Sequence, residues 1–174
     1  MLVLGLDDFE DDLLGQLLEW SPTLMVTTDT AEQLNAFGIK FDVLVGDGGF
    51  GLQEDIKYVS RKGEEVTEAA LKYLTDNGYP AVNVVTDDLV LDDYLPYAGE
   101  INIVIFNAGK KIYPVTSGFT KWKPAGDVIE LMSDVSDMAF TGLEPIGESR
   151  YQTTSDGFFT LQFNEPFIFI AEGI

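Results

Sequence analysis

Residues 25–50 read MVTTDTAEQLNAFGIKFDVLVGDGGF, and this stretch decides the fold class. The run from Thr23 to Thr27 reads as a strand. Asp29 or Thr30 then caps a helix that continues through Ala36 and is stopped by Gly38. Asp42 to Val45 is the next strand, ending in Gly46-Asp47-Gly48-Gly49. Strands joined by helices of this length form βαβ units around a parallel sheet. Ligands of such sheets bind beyond the carboxyl ends of the strands.

The same texture extends to either side. Leu2 to Leu6 reads as a strand, and Asp8 to Trp20 as a helix with acids in its first turn and an apolar face at Leu13, Leu14, Leu17 and Leu18. Ile56 to Val59 is a further strand candidate. Thr67 to Thr75 reads as a helix closed by Asn77-Gly78, and Ala81 to Val85 as a strand followed by acids from Asp87 to Asp93. Beyond about residue 100 helical periodicity fades. Ile101 to Phe106 and Lys111 to Val115 flank a turn at Asn107-Ala108-Gly109-Lys110. Further strands fit Asp127 to Met132, Ser136 to Phe140, Arg150 to Thr153, Gly157 to Phe163 and Phe167 to Ala171. Short strands broken by Gly and Pro indicate a β-sandwich or barrel. The expectation is an α/β domain with a parallel, Rossmann-like sheet over 1–100, then an all-β sandwich over 101–174. Ile101 to Phe106 fits either side.

Composition narrows the chemistry. The 174 residues hold 10 Lys or Arg, 30 Asp or Glu, and no His or Cys, for a formal net charge of −20. Absent cysteine excludes disulfides and thiolate zinc sites; absent histidine excludes a Ser-His-Asp triad and imidazole ligands. The charge argues against nucleic acid and anionic membranes as partners. The apolar start MLVLGL runs directly into acids, unlike a signal peptide, and no apolar run reaches the ~20 residues of a membrane span. A cytoplasmic protein is expected. The Asp7 to Asp12 run reads as a solvated helix start and lacks the spacing of a calcium loop.

The order Met25-Val26-Thr27-Thr28-Asp29, helix, Gly38-Ile39-Lys40-Phe41-Asp42, strand, Gly46-Asp47 resembles the thiamine pyrophosphokinase family. There a strand ends in Asp-Gly-Gly, and Gly-Ile-x-Pro-Asp and Gly-Asp-x-Asp-Ser follow. The resemblance extends to Gly142-Leu143 and to Ser155-Asp156, where the family has Gly-Leu and Ser-Asn. It implies an α/β catalytic domain followed by a β-sandwich, and a homodimer whose sites lie between the α/β domain of one subunit and the sandwich of the other. It also implies transfer of pyrophosphate from ATP to the thiamine hydroxyl with Mg²⁺. Carried over position by position, Asp29 and Asp47 become catalytic and metal-ligand candidates. Asp42, Ser155 and Asp156 become substrate-binding candidates, and Lys62 and Asp92 nucleotide-binding candidates.

The departures bear on catalysis. Thr30-Ala31 replace the first Gly-Gly, and Gly49-Phe50 replace Asp-Ser. The family's Lys-Asp-x-Thr-Asp falls on Lys62-Gly63-Glu64-Glu65-Val66, which loses both aspartates, and its Arg-x-Asp-His falls on Val90-Leu91-Asp92-Asp93, with Tyr97 at a later Asn. Pyrophosphoryl transfer depends on positioned metal and cations. Three readings follow: a homodimer with a weak or inactive site that keeps thiamine or nucleotide binding, an active kinase with a rearranged Mg²⁺ site, or a structural protein. Local explanations stand beside the functional ones: Asp29 as a helix cap, Asp47-Gly48-Gly49 and Ser155-Asp156-Gly157 as turns, and Trp122 as core or as a stacking surface.

Overall fold

The computed structural model describes residues 1–7, 9–20, 22–47, 51 and 53–174. Asp8 at the expected helix start, and Gly48, Gly49 and Phe50 of the second motif, lie outside the described residues. The chain divides into two compact units, Met1–Ala108 and Gly109–Ile174. No helix among the described residues is long and apolar enough to cross a membrane.

In the first unit the elements are β1 (Leu2–Val3), α1 (Asp11–Leu18), β2 (Met25–Thr27), α2 (Thr28–Ala36), β3 (Val43–Val45), β4 (Lys57–Val59), α3 (Val66–Asp76), β5 (Ala81–Val85) and β6 (Asn102–Asn107). Their order across the sheet is β6-β5-β1-β2-β3-β4, and every pairing is parallel. The chain winds outward from β1 to β4, then returns to the other side of β1 for β5 and β6. The order therefore reverses between β1 and β5, which is where sheets of this kind open a crevice. β1, β2 and β3 are buried along their whole length, as strands covered on both faces must be. Leu14 of α1 and Ala31 and Leu34 of α2 pack on Val3, Val26 and Leu44 to build the core. Ile101 is buried and Asn102–Asn107 pairs with β5, so this segment belongs to the first unit.

α2 is capped by Thr27, not by Asp29 or Thr30. Thr27 Oγ1 accepts from the Thr30 N–H at 3.3 Å, and Thr30 Oγ1 accepts from the Thr27 N–H at 2.9 Å. Thr30 Oγ1 also donates to the Val3 carbonyl at 2.9 Å. This reciprocal pair satisfies two helix-start donors and ties α2 to β1. Asp29 stays exposed in the first turn, where its charge suits the helix dipole.

The second unit is built of β7 (Lys110–Val115), β8 (Phe119–Lys123), β9 (Val128–Leu131), β10 (Ala139–Thr141), β11 (Leu143–Pro145), β12 (Arg150–Thr153), β13 (Gly157–Gln162) and β14 (Ile168–Gly173). One antiparallel group runs β11-β12-β9-β14-β7; the other runs β10-β13-β8. Val115, Ile129, Leu131, Ile168 and Ile170 from the first group meet Phe159 and Leu161 from the second in one core. Two sheets thus face each other over shared apolar side chains. Periodicity alone does not mark β8 and β11, because β8 turns lysines inward and β11 is three residues long.

A polar group interrupts that core. Glu172 of β14 is 5% exposed. Lys121 Nζ and Tyr113 Oη donate to its Oε1, and Lys123 Nζ lies 2.8 Å from Oε2 as an ion pair rather than an aligned hydrogen bond. Lys123 also pairs with Asp127 Oδ2 at 3.1 Å. Burial pushes the Glu172 carboxyl up, but the two lysines outweigh it and hold the group below the ordinary carboxylate value.

Candidate functional site

The carboxyl ends of the parallel strands gather most of the polar side chains worth considering. Asp7 follows β1, Asp29 follows β2, Asp47 follows β3, Ser60 and Lys62 follow β4, and Asp87 follows β5. The fold determines this, because each strand exits toward the same edge before the chain turns back.

Two glycines let these loops close on each other. A Cβ at Gly46 would lie 2.7 Å from Thr28 Oγ1, so the loop carrying Asp47 sits against the residue before Asp29. A Cβ at Gly5 would lie 2.3 Å from Asp87 Oδ2. The missing side chain there admits the Asp87 carboxylate, whose Oδ2 accepts from the Asp7 N–H at 2.9 Å. Asp7 Oδ1 in turn accepts from Gln33 Nε2 at 3.0 Å. Asp7 and Asp87 therefore meet at the reversal point between β1 and β5. In the sequence Asp7 reads as part of a solvated helix start and Asp87 as the first residue of an acidic stretch after a strand. The available signal is position: each is an acid two to four residues past the end of a parallel strand.

On the other side, Asp47 Oδ1 accepts from Ser60 Oγ at 3.3 Å, and Ser60 Oγ accepts from the Lys62 N–H at 3.3 Å. The structure thus brings Asp47 and Lys62 together through Ser60. Lys62 has a positive φ of 53°, and Gly63 follows with φ 88°, which turns the chain sharply into α3. A cavity of about 300 Å³ opens beside this turn, lined by Lys57, Ser60, Lys62, Glu64, Lys72 and Tyr73 among others. Three of the basic residues of 1–108 (Lys40, Lys57, Arg61, Lys62 and Lys72) converge there. Lys72 is paired with Glu64 at 3.1 Å, and Lys57 Nζ lies 4.7 Å from the centroid of the Tyr73 ring.

The remaining candidates lie elsewhere. Asp42 precedes β3 and so stands at the amino end of the strand, opposite Asp47. Its Oδ2 accepts from the Leu24 N–H at 2.7 Å, a tie between β2 and β3. Asp92 is exposed in a short 3₁₀ turn, Leu91–Asp93, followed by a second at Leu95–Tyr97. Ser155 and Asp156 are exposed in the turn between β12 and β13 of the second unit. Asp156 Oδ1 accepts from the Ala125 N–H at 2.8 Å and so fastens that turn to the loop before β9.

The carboxylates at the strand ends are sparsely grouped. Among the described residues no three Asp or Glu side chains converge to hold a metal ion. Of the residues outside the description, only Asp8 carries a carboxylate; the positions after Asp47 are Gly48, Gly49 and Phe50. Asp47 and Asp87 each have at least one oxygen engaged by a protein donor. A magnesium cage built from protein ligands alone is therefore not formed among the described residues; the ion usually takes one or two carboxylates and completes its octahedron with phosphate oxygens and water, and Asp29 and Asp47 are the residues that would supply those carboxylates.

No family model and no curated protein sequence matches the chain. Solved structures do. A protein from Lactobacillus plantarum superposes with a TM-score of 0.72 at 13% identity, covering 99% of this chain and 98% of that one. Thiamin pyrophosphokinase from Geobacillus thermodenitrificans gives 0.69 at 13% identity over 100% of this chain and 98% of that one. Yeast thiamin pyrophosphokinase gives 0.71 at 9% identity over 99% and 85%. The likeness runs the full length of the chain, through both units, and the chain therefore has the fold of the thiamin pyrophosphokinases.

Proposed function

We propose that the chain is a divergent thiamine pyrophosphokinase-like protein: a cytoplasmic homodimer with a Rossmann-like first unit, binding thiamine or a nucleotide with weak or absent catalysis. The full-length fold likeness supports the family reading. The observation that carries the catalytic part is the carboxylate count at the strand ends. Asp29 in the first turn of α2 and Asp47 on the loop after β3 are brought near each other by the approach of Gly46 to Thr28, yet no third acid converges with them among the described residues. A triphosphate brought to this edge meets the carboxylates of Asp29 and Asp47, and repulsion there opposes phosphoryl transfer. Lys62, with Lys57 and Lys72 beside it, is the part of the unit able to receive phosphate oxygens. Ser155 is the group proposed to hydrogen-bond thiamine, while Asp156 orients the turn that carries it.

A second reading is favoured by Asp7 and Asp87. They supply two further carboxylates at the reversal point, and an active kinase would use them, with ATP as co-substrate, in a rearranged Mg²⁺ site.

Binding is tested by calorimetry and thermal shift with thiamine and, separately, with ATP. Ligand at ~100 times its dissociation constant adds roughly 2.7 kcal/mol of stability. A rise in melting temperature with thiamine that is lost in Ser155→Ala is the expected result. Absence of heat and of any shift with either compound at millimolar concentration contradicts the binding reading and favours a structural role.

A further inference from the structure

The edge of the parallel sheet beyond β4 gathers positive charge in a chain with 30 acids and 10 bases. Neither Lys57 nor Lys62 forms an ion pair among the described residues, and both line the cavity of about 300 Å³ between β4 and α3. Lys57 Nζ sits over the Tyr73 ring instead, 4.7 Å from its centroid, a contact that positions the charge without neutralising it. Lys62 is carried by a left-handed backbone, φ 53°, a costly conformation for a residue with a side chain and one that gathers at ligand sites. Lys72 is a third lysine on the wall; it is paired with Glu64, and Asp76 is a second acid there. The cavity reaches away from the strand-end aspartates. In the register Lys57 stands opposite Val43, at the amino end of the sheet, whereas Asp47 follows the other end of β3. α3 runs back along β4 and so brings Tyr73 to the level of Lys57.

We propose that this groove along the outer edge of the sheet is a separate site for a small phosphate-bearing anion, with Lys57 and Lys62 as the charges that receive it. Charge and size select the occupant. A long acidic partner would be repelled by a surface of net charge −20, whereas a small anion meets only the local wall, where three lysines face two acids. Unpaired ammonium groups lose least when they are answered by an anion that also accepts hydrogen bonds, and phosphate does both. A volume of about 300 Å³ lies at the low end of small-molecule sites and has room for a small organic group beside the phosphate, against the Tyr58 and Tyr73 rings. The site stands independently of the thiamine and nucleotide reading. Lys57 and Tyr73 lie outside the motifs of that resemblance, and the anion needs neither thiamine nor the strand-end aspartates.

Calorimetry and thermal shift of the full chain with inorganic phosphate and with phenyl phosphate, each against sodium chloride at equal ionic strength, test this. Saturable binding is expected. Lys57→Gln and Lys62→Gln each weaken it by about tenfold or more, the usual loss of a hydrogen bond to a charged group, whereas Lys40→Gln, at an exposed residue before β3, leaves it unchanged. Circular dichroism checks that each variant is folded. Tighter binding of phenyl phosphate assigns a phosphate ester as the ligand, and equal binding assigns the free ion. Absence of saturable binding by either compound overturns the site, as does binding indifferent to both Lys57→Gln and Lys62→Gln. Neither failure touches the thiamine reading, which is judged by the shift lost in Ser155→Ala.

Discussion

Replacing Glu172 with alanine is expected to lower the stability of the second unit by about 3–5 kcal/mol, the usual consequence of removing one partner from a buried ion pair. The loss does not come from the missing attraction alone. Lys123 is 17% exposed at its side chain and would keep its charge with only the partly exposed Asp127 to answer it, while Tyr113 Oη would lose its acceptor. Urea unfolding at neutral pH measures the effect. The pH dependence follows from the direction of the shift. Glu172 is held below the ordinary carboxylate value in the folded state. Its contribution is therefore complete above that value and is lost as the pH falls through the lowered folded one. The wild-type chain should show this acid-side loss, and Glu172→Gln should show less of it.

Gly142→Ala is the second large effect, about 3 kcal/mol or more, the sum of a backbone cost and a steric one. Gly142 joins β10 of one sheet to β11 of the other, so the chain changes layers at this residue. Its φ is +73°, which costs an L side chain about 1–3 kcal/mol. A Cβ there would also stand 2.7 Å from the Phe158 carbonyl oxygen and 3.2 Å from Phe159 Cα. Both are backbone atoms in a paired strand and cannot rotate away, so the strand itself must shift. Gly118 is the control: φ is +86°, and a Cβ there would meet nothing within 4 Å. Gly118→Ala should cost only the conformational part. Thermal unfolding of the two variants side by side separates the two contributions.

These two residues also show what is legible in the sequence. Gly142-Leu143 is visible as a family-like pair, but its reason is the change of sheet, which no local pattern displays. The βαβ reading of residues 25–50 depends on apolar periodicity and a helix stop at Gly38, both local signals, and the parallel pairing of β2 and β3 follows it. The inward-facing Lys121 and Lys123 are opaque, since lysines read as solvent-facing until their buried acceptor about fifty residues away is known. Asp7 and Asp87 are opaque for a similar reason. They are eighty residues apart, and only the sheet order makes them neighbours. Asp42 and Asp47 look equivalent as acids flanking one strand, yet the direction of the strand places them at opposite ends.

We propose that the strand-end aspartates are too sparsely grouped to support efficient metal-dependent phosphoryl transfer. The most direct measurement is AMP release from ATP in a coupled assay with thiamine and Mg²⁺, on the full chain and on Asp47→Ala and Asp87→Asn. The account predicts release at the level of the no-thiamine control in all three. Sustained thiamine- and Mg²⁺-dependent turnover in the unmodified chain, abolished by either substitution, would contradict it.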